Sequence, residues 1–167
     1  QLYRDKGARV ITADILENRV AISHKISADI AINSSEVDVV DTVHREQEAG
    51  ADIVVECTGR SDTMPLMLRA VRGNCSDSEK TGKISMQGYF VNPINIDFHS
   101  AHLRRLTMSF PCGFDVAGTR EIFGLMAANR LNVADLITHE WSVDQAPEAF
   151  SLMLSNPGDV LGMYMRW

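Results

Sequence analysis

The run Ala8-Arg9-Val10-Ile11-Thr12-Ala13-Asp14-Ile15 decides how the rest of this chain is read. It follows Gly7, a residue able to take the left-handed turn that closes a helix, and its apolar character stops on a carboxylate, Asp14. Short, near-continuous apolar runs bounded by turn residues mark the buried strands of parallel sheets. The pattern predicts a strand over Arg9 to Ala13 with Asp14 at its carboxyl tip. Upstream, Gln1 to Lys6 reads as the last turns of a helix, with Leu2 and Tyr3 on its apolar face and Gly7 as its cap.

Downstream, short apolar runs and amphipathic stretches alternate. Leu16 to Lys25 reads as a helix with Leu16, Val20 and Ile22 inward, followed by a strand over Ala28 to Asn33. Val37 to Ala49 is a predicted helix closed by Gly50. Ala51-Asp52-Ile53-Val54-Val55-Glu56-Cys57 is then the clearest buried strand, and Thr58-Gly59 turns out of it. Ser61 or Asp62 can cap the next helix, where Pro65 sits in the tolerated first turn and Leu66, Leu68 and Val71 face inward. Gly73 to Gly82 is polar and reads as a surface loop. Lys83 to Met86 is a strand ended by Gln87-Gly88, Tyr89 to Asp97 is irregular, and Ser100 to Arg105 forms a helical turn before a strand over Leu106 to Phe110. Asp115 caps a helix to about Asn129 with Ile122, Phe123, Leu125 and Met126 on its apolar side. Leu136 to Val143 is extended, Asp144 caps a short helix through Phe150, Asn156-Pro157-Gly158 is a turn, and Val160 to Trp167 is a last strand. Strands alternating with helices of about a dozen residues predict an α/β fold with a parallel sheet covered on both faces.

The chain has 167 residues, enough to bury a core, and its 45% hydrophobic and 23% charged residues are those of an ordinary globular protein. A net charge of −6 argues against general nucleic-acid binding. No apolar run is long enough to span a bilayer and no signal segment is visible at the start, so the cytosol is the expected compartment. Three cysteines, Cys57, Cys75 and Cys112, are odd in number and far apart, which supports neither a disulfide framework nor a structural zinc site. They read as free thiols, Cys57 as a small residue buried in its strand. The eight methionines read as core filler.

In open α/β sheets ligands collect at the carboxyl ends of the strands. A carboxylate at Asp14 can accept hydrogen bonds from the 2′- and 3′-hydroxyls of an adenosine ribose and would repel a 2′-phosphate; it can equally serve as the cap of the following helix. Arg19, one turn on, can reach the adenosine side of a nucleotide or lie solvated on the surface. Thr58, Gly59 and Arg60 follow the clearest buried strand at its carboxyl end: Gly59 permits close backbone approach and Arg60 can meet a phosphate or stack on adenine, or the three form a plain turn. Gln87, Gly88 and Tyr89 hold the equivalent place after the next strand, where backbone groups can face a nicotinamide. His99 and His102 share a helix face, but two histidines without a third ligand make a poor metal site and read as surface residues. His24, His44 and His139 show no partners. No two glycines lie two residues apart, so the Gly-x-Gly-x-x-Gly phosphate turn is absent.

Taken together, Lys6-Gly7-Ala8-Arg9-Val10-Ile11 leading to Asp14, Gly50 to Arg60, Leu136-Ile137-Thr138-His139 and Ala146-Pro147-Glu148-Ala149-Phe150 resemble the medium-chain, zinc-type alcohol dehydrogenases over nearly the whole chain. The similarity is to the second half of those longer enzymes. It implies a Rossmann-like doubly wound parallel sheet, incomplete at the N-terminus: a partial dinucleotide-binding domain over residues 1–135, and a segment over 136–167 that returns to a catalytic domain. It implies NAD as cofactor, with Asp14 at the adenosine ribose, Arg19 beside it, Thr58 to Arg60 along the cofactor, and Gln87 to Tyr89 near the nicotinamide. It also implies a homodimer through the edge strand near Leu106–Phe110. The catalytic zinc and proton relay belong to the family's earlier half, so no catalytic or metal residue is expected in this chain, and its first strand and glycine turn are expected before Gln1. In the family's sheet order that strand lies in the middle of the sheet. The expected activity of the complete enzyme is hydride transfer between a small alcohol or carbonyl compound and NAD. Two other readings stand beside it: a nucleotide-binding or dimerisation module without catalysis, and a relative of NADPH-dependent quinone reductases, which Asp14 disfavours.

Overall fold

The computed structural model describes residues 1–73 and 81–167, so most of the predicted Gly73–Gly82 loop, Cys75 included, lies outside the described residues. The chain opens with a short helix, α1 (Leu2–Asp5), that ends at Gly7, whose φ of +86° suits the residue without a Cβ. Strand β1 (Ile11–Asp14) runs to the predicted carboxylate, helix α2 (Glu17–Ile26) follows, and strand β2 (Ile30–Asn33) pairs parallel to β1 with Ile11 opposite Ile30 and Asp14 opposite Asn33. Helix α3 (Val39–Glu46) is shorter than the predicted 37–49. Asp38 is its cap, accepting from the backbone N–H groups of Val40 and Asp41, and the chain is already extended at Gln47. Gly50, at φ +89°, then brings the Ala51 N–H to the Ala70 carbonyl at 2.8 Å.

Strand β3 (Ile53–Glu56) is not the fully buried strand its sequence predicts. Ile53 is 44% exposed and only Glu56 is buried, because among the described residues β3 pairs along one edge only, with strand β4 (Lys83–Met86). Between them a single 3-10 turn (Ser61–Thr63) leads into helix α4 (Met64–Ala70), with Pro65 in its first turn as predicted. Neither Ser61 nor Asp62 caps that helix, since the Asp62 carboxylate is occupied by Arg60. Helix α5 (Phe98–Leu103) is capped by Asp97, and strand β5 (Thr107–Ser109) pairs parallel to β4.

Helix α6 (Val116–Ala127) has the predicted Asp115 cap, which accepts from the Gly118 N–H at 2.6 Å. Phe123 departs from the predicted inward face and is 63% exposed; Leu125 is the residue that α6 buries. Strand β6 (His139–Ser142), helix α7 (Ala146–Ser155) and strand β7 (Met163–Arg166) complete the chain, with β6 parallel to β7. Ser142 rather than Asp144 caps the turn before α7, in a reciprocal box with Gln145.

The described strands form three sheets, β1-β2, β3-β4-β5 and β6-β7, and every pairing is parallel. The chain divides into two compact units. The first comprises Gln1–Glu36 and Asp115–Trp167, the second Val37–Phe114. The second has a well-defined core in which Met64, Met67, Leu68, Val71, Ile84 and Met86 are buried together, flanked by Val54, Phe90, Ile94, Ala101, Leu106 and Met108. Its methionines do fill core, as their flexible thioethers allow, whereas Met153 near the chain end is partly exposed. Among the described residues no helix is long and apolar enough to cross a membrane.

Candidate functional site

In the second unit the carboxyl ends of β3 and β4 lie side by side, with Glu56 opposite Met86. The Glu56 carbonyl accepts from the N–H groups of Gln87 and Gly88 at 2.8 and 2.9 Å, so the two strands leave the sheet tied together. The Glu56 side chain is the centre of the arrangement and is only 4% exposed. Its Oε1 accepts from the Thr58 N–H at 2.8 Å, from the Thr58 hydroxyl and, at 3.4 Å, from the Thr63 hydroxyl; its Oε2 accepts from the Gly59 N–H at 3.0 Å. The Thr58 hydroxyl oxygen in turn accepts from the Arg60 N–H at 3.1 Å. A buried carboxylate surrounded by converging N–H and O–H donors is satisfied without a paired cation.

Two glycines make this packing possible. Gly59 has a φ of +69°, and a Cβ there would run into the carbonyl oxygen of Tyr89. A Cβ on Gly88 would collide with the Gly59 nitrogen and the Glu56 Oε2. The structure thus brings Thr58, Gly59, Arg60, Gln87, Gly88 and Tyr89, all named from sequence, onto one edge. The N–H groups of Thr58, Gly59, Arg60, Gln87 and Gly88 are spent on holding that edge. What the edge presents outward is side chain, including a Tyr89 ring that is 88% exposed and an exposed Arg60 guanidinium. Arg60 donates to Asp62 from Nε at 3.0 Å and from Nη2 at 2.5 Å, and this pairing raises its pKa and lowers that of Asp62.

Cys57 corrects its predicted burial: it lies one residue beyond β3 and is exposed, because the strand alternation that sends Glu56 inward sends its neighbour outward. Partial desolvation and then the Glu56 charge raise its thiol pKa, the opposite of what activates a nucleophile. Cys112 is likewise a free, exposed thiol.

The first unit holds Asp14 and Arg19. Asp14 stands exposed at the tip of β1, its Oδ1 accepting from the Leu16 N–H at 3.0 Å and its backbone carbonyl from the Ser34 N–H at 2.9 Å. The capping reading of Asp14 is not met: Leu16 is the N-cap of α2, without a side-chain cap, and Asp14 makes a turn bond to that residue. Arg19 is not a solvated surface residue. Its Nη2 donates to the carbonyls of Val160 at 2.5 Å and Pro157 at 3.3 Å, while Asn18 donates to the Gly158 carbonyl at 3.0 Å. The predicted turn at Asn156-Pro157-Gly158 is clamped onto the first turn of α2 by these bonds.

Two residues with structural roles escaped the sequence reading. Glu56 was visible as an acid near the end of an apolar run, two residues before Thr58-Gly59, the place where a turn needs an internal acceptor. His44, without an evident partner in sequence, sits between the Glu48 and Arg69 carbonyls at 2.9 and 3.0 Å and links α3 to the end of α4. His99 and His102 are exposed, the His102 ring stacking on Phe98, and no group of three or more His, Cys, Asp or Glu among the described residues is placed to hold a metal ion.

Comparison with known proteins agrees with this architecture. The L-threonine 3-dehydrogenase of Pyrococcus furiosus is 30% identical over 148 residues, covering 86% of this chain and 40% of its own length. Among solved structures, an oxidoreductase/dehydrogenase of unknown specificity from Escherichia coli superposes with a TM-score of 0.85 at 21% identity, over 95% of this chain and 43% of that one. An Escherichia coli alcohol dehydrogenase crystallised with NADH gives a TM-score of 0.79 at 15% identity, over 95% and 44%. The fold is accordingly that of the Rossmann-type region of such dehydrogenases, and the chain spans about two fifths of the length of the curated relatives it matches. Residues 1–129 match the zinc-binding dehydrogenase family, and the chain belongs to that family.

Proposed function

We propose that this chain is the NAD-binding part of a zinc-type alcohol dehydrogenase that, as a complete enzyme, passes hydride between a small alcohol or carbonyl compound and NAD. The observation that carries the reading is the exposed Asp14 carboxylate at the carboxyl tip of a parallel strand, in a chain of this family. One carboxylate oxygen holds the Leu16 N–H and the group remains accessible to the 2′- and 3′-hydroxyls of an adenosine ribose, while its charge disfavours the 2′-phosphate of NADP. Arg19 keeps the ground beside Asp14 in place through the 157–160 turn. In the second unit Thr58 to Arg60 run along the cofactor, and Gln87 to Tyr89 lie near its nicotinamide. In enzymes of this kind zinc polarises the substrate oxygen; this chain's part is to seat and orient the cofactor.

The same reading makes the complete enzyme cytoplasmic and dimeric, with the edge around Leu106–Phe110 pairing across the two-fold axis. The side of β5 that pairs with no strand among the described residues and the exposed Phe110 and Phe114 support that use of the edge. They would equally serve a dimerisation module without catalysis, the second reading. Titrating the complete protein with NADH and assaying it with NAD and simple alcohols separates the two: binding with turnover supports the enzyme, and binding without turnover supports the module. Absence of NADH binding overturns the enzyme and the nucleotide-binding module and leaves dimerisation alone. Turnover by residues 1–167 alone would overturn the assignment of the chemistry to other residues.

A further inference from the structure

Glu56 is a charged side chain buried at the end of a strand, and among the described residues no basic group pairs with it. Such a carboxylate is retained against the cost of desolvation only where its environment needs an anionic acceptor. Here the need is specific. Consecutive N–H groups of Thr58 and Gly59 converge on its two oxygens, with the Thr58 and Thr63 hydroxyls adding to Oε1. The same residue's carbonyl takes the Gln87 and Gly88 N–H groups, and Gly88 packs directly on Oε2 and on the Gly59 nitrogen. One residue therefore fixes the two turns that together carry six candidate cofactor contacts, yet it presents nothing outward itself.

We propose that Glu56 is a positioning residue for the cofactor. Its buried carboxylate sets the spacing and orientation of the Thr58–Arg60 and Gln87–Tyr89 turns, and so of the surface they offer to the nicotinamide half of the dinucleotide. This rests on the NAD-binding reading above. An acceptor without charge, or one carried on a shorter stem, would leave a peptide N–H unpaired or draw the two turns out of register, and both changes act on the bound nicotinamide without removing any group that touches it.

The test is Glu56→Gln in the complete protein, with NADH titrated by fluorescence well below the unfolding temperature and thermal unfolding recorded on the same samples. Gln puts an NH2 donor where one of the oxygens accepts. Loss of a hydrogen bond to a charged group predicts an NADH Kd raised about tenfold or more, with the emission of bound NADH displaced from its wild-type position. Ile84→Val, which thins the core beneath the same sheet, is the comparison: it should lower the unfolding temperature and leave both NADH readouts unchanged. Glu56→Asp, which keeps the charge on a shorter stem, should give a smaller displacement of the same kind and replaces the Gln variant if that variant fails to fold. A folded Glu56 variant that binds NADH with wild-type affinity and emission overturns the proposal. So does a loss of affinity that merely tracks unfolding temperature across all three variants. Failure of the wild-type protein to bind NADH instead overturns the cofactor reading itself, and the positioning role with it.

Discussion

At the level of single residues, the cofactor reading separates from its alternatives most sharply at Asp14. Asp14 uses one oxygen on the Leu16 N–H, a local bond of modest worth, and the rest of its value under the proposed function is in the ribose hydroxyls. Asp14→Ala in the complete protein should therefore weaken NAD by about 2 kcal/mol, on the order of 30-fold, while NADP, already repelled by the carboxylate, changes little. Equal losses for the two nucleotides, measured by competition against NADH, would refute the ribose assignment. Gly59 is a conformational requirement whatever binds. At φ +69° an added Cβ is strained, and it has nowhere to go but the Tyr89 carbonyl. Gly59→Ala should cost about 2–3 kcal/mol in urea denaturation through backbone strain and the displaced turn. A near-neutral result would mean that the two turns are not locked together as described.

At the scale of elements, helix ends show how stability is distributed and how far it was legible. Asp38 caps α3, and the Asp41 N–H, followed by that of Val40, holds its carboxyl below the usual carboxylate range. A folded-state pKa depressed below the unfolded value contributes stability that is complete above the unfolded pKa and is lost as pH falls through the folded one. Asp38→Asn keeps a good capping side chain but removes the titration, so wild type should be the more stable at neutral pH and the difference should shrink on acidification to about pH 3. Urea midpoints at the two pH values check this, and a difference that grows with acid would reverse the sign. The cap at Asp115, the strand Lys83–Met86 and the glycine stop at Gly7 could be read in advance because each depends on local chemistry alone, whereas α3 ends at Glu46, short of the stop expected at Gly50. The caps expected at Asp62 and Asp144 could not, since one carboxylate is claimed by Arg60 and the other position yields to the Ser142–Gln145 box. Arg19 and His44 take carbonyl partners that are 141 and 25 residues away, distances over which spacing rules carry no information.

The whole molecule is unevenly packed, and that has a measurable consequence. The second unit surrounds Ile84 and Met64 with a continuous core, whereas the buried apolar residues of the first unit are Ala28, Leu125 and Ala149, two of them alanines that bury little area. Burial contributes about 25 cal/mol per Å2 of apolar surface, so at equal chain-entropy cost the first unit has much the smaller driving force. Regions poor in buried contacts open first, and a protein with two such unequal parts departs from two-state unfolding. Both tryptophans, Trp141 and Trp167, lie in the first unit, which makes their fluorescence a reporter of that unit alone. In a urea titration of residues 1–167 the tryptophan signal should change at lower denaturant than far-ultraviolet circular dichroism, which reads both units. The amides of β4, paired on both sides, should be among the last to exchange with deuterium, after those of β1 and β2. Coincident transitions by the two probes, with uniform exchange, would show instead that the units unfold as one and would overturn the expected order.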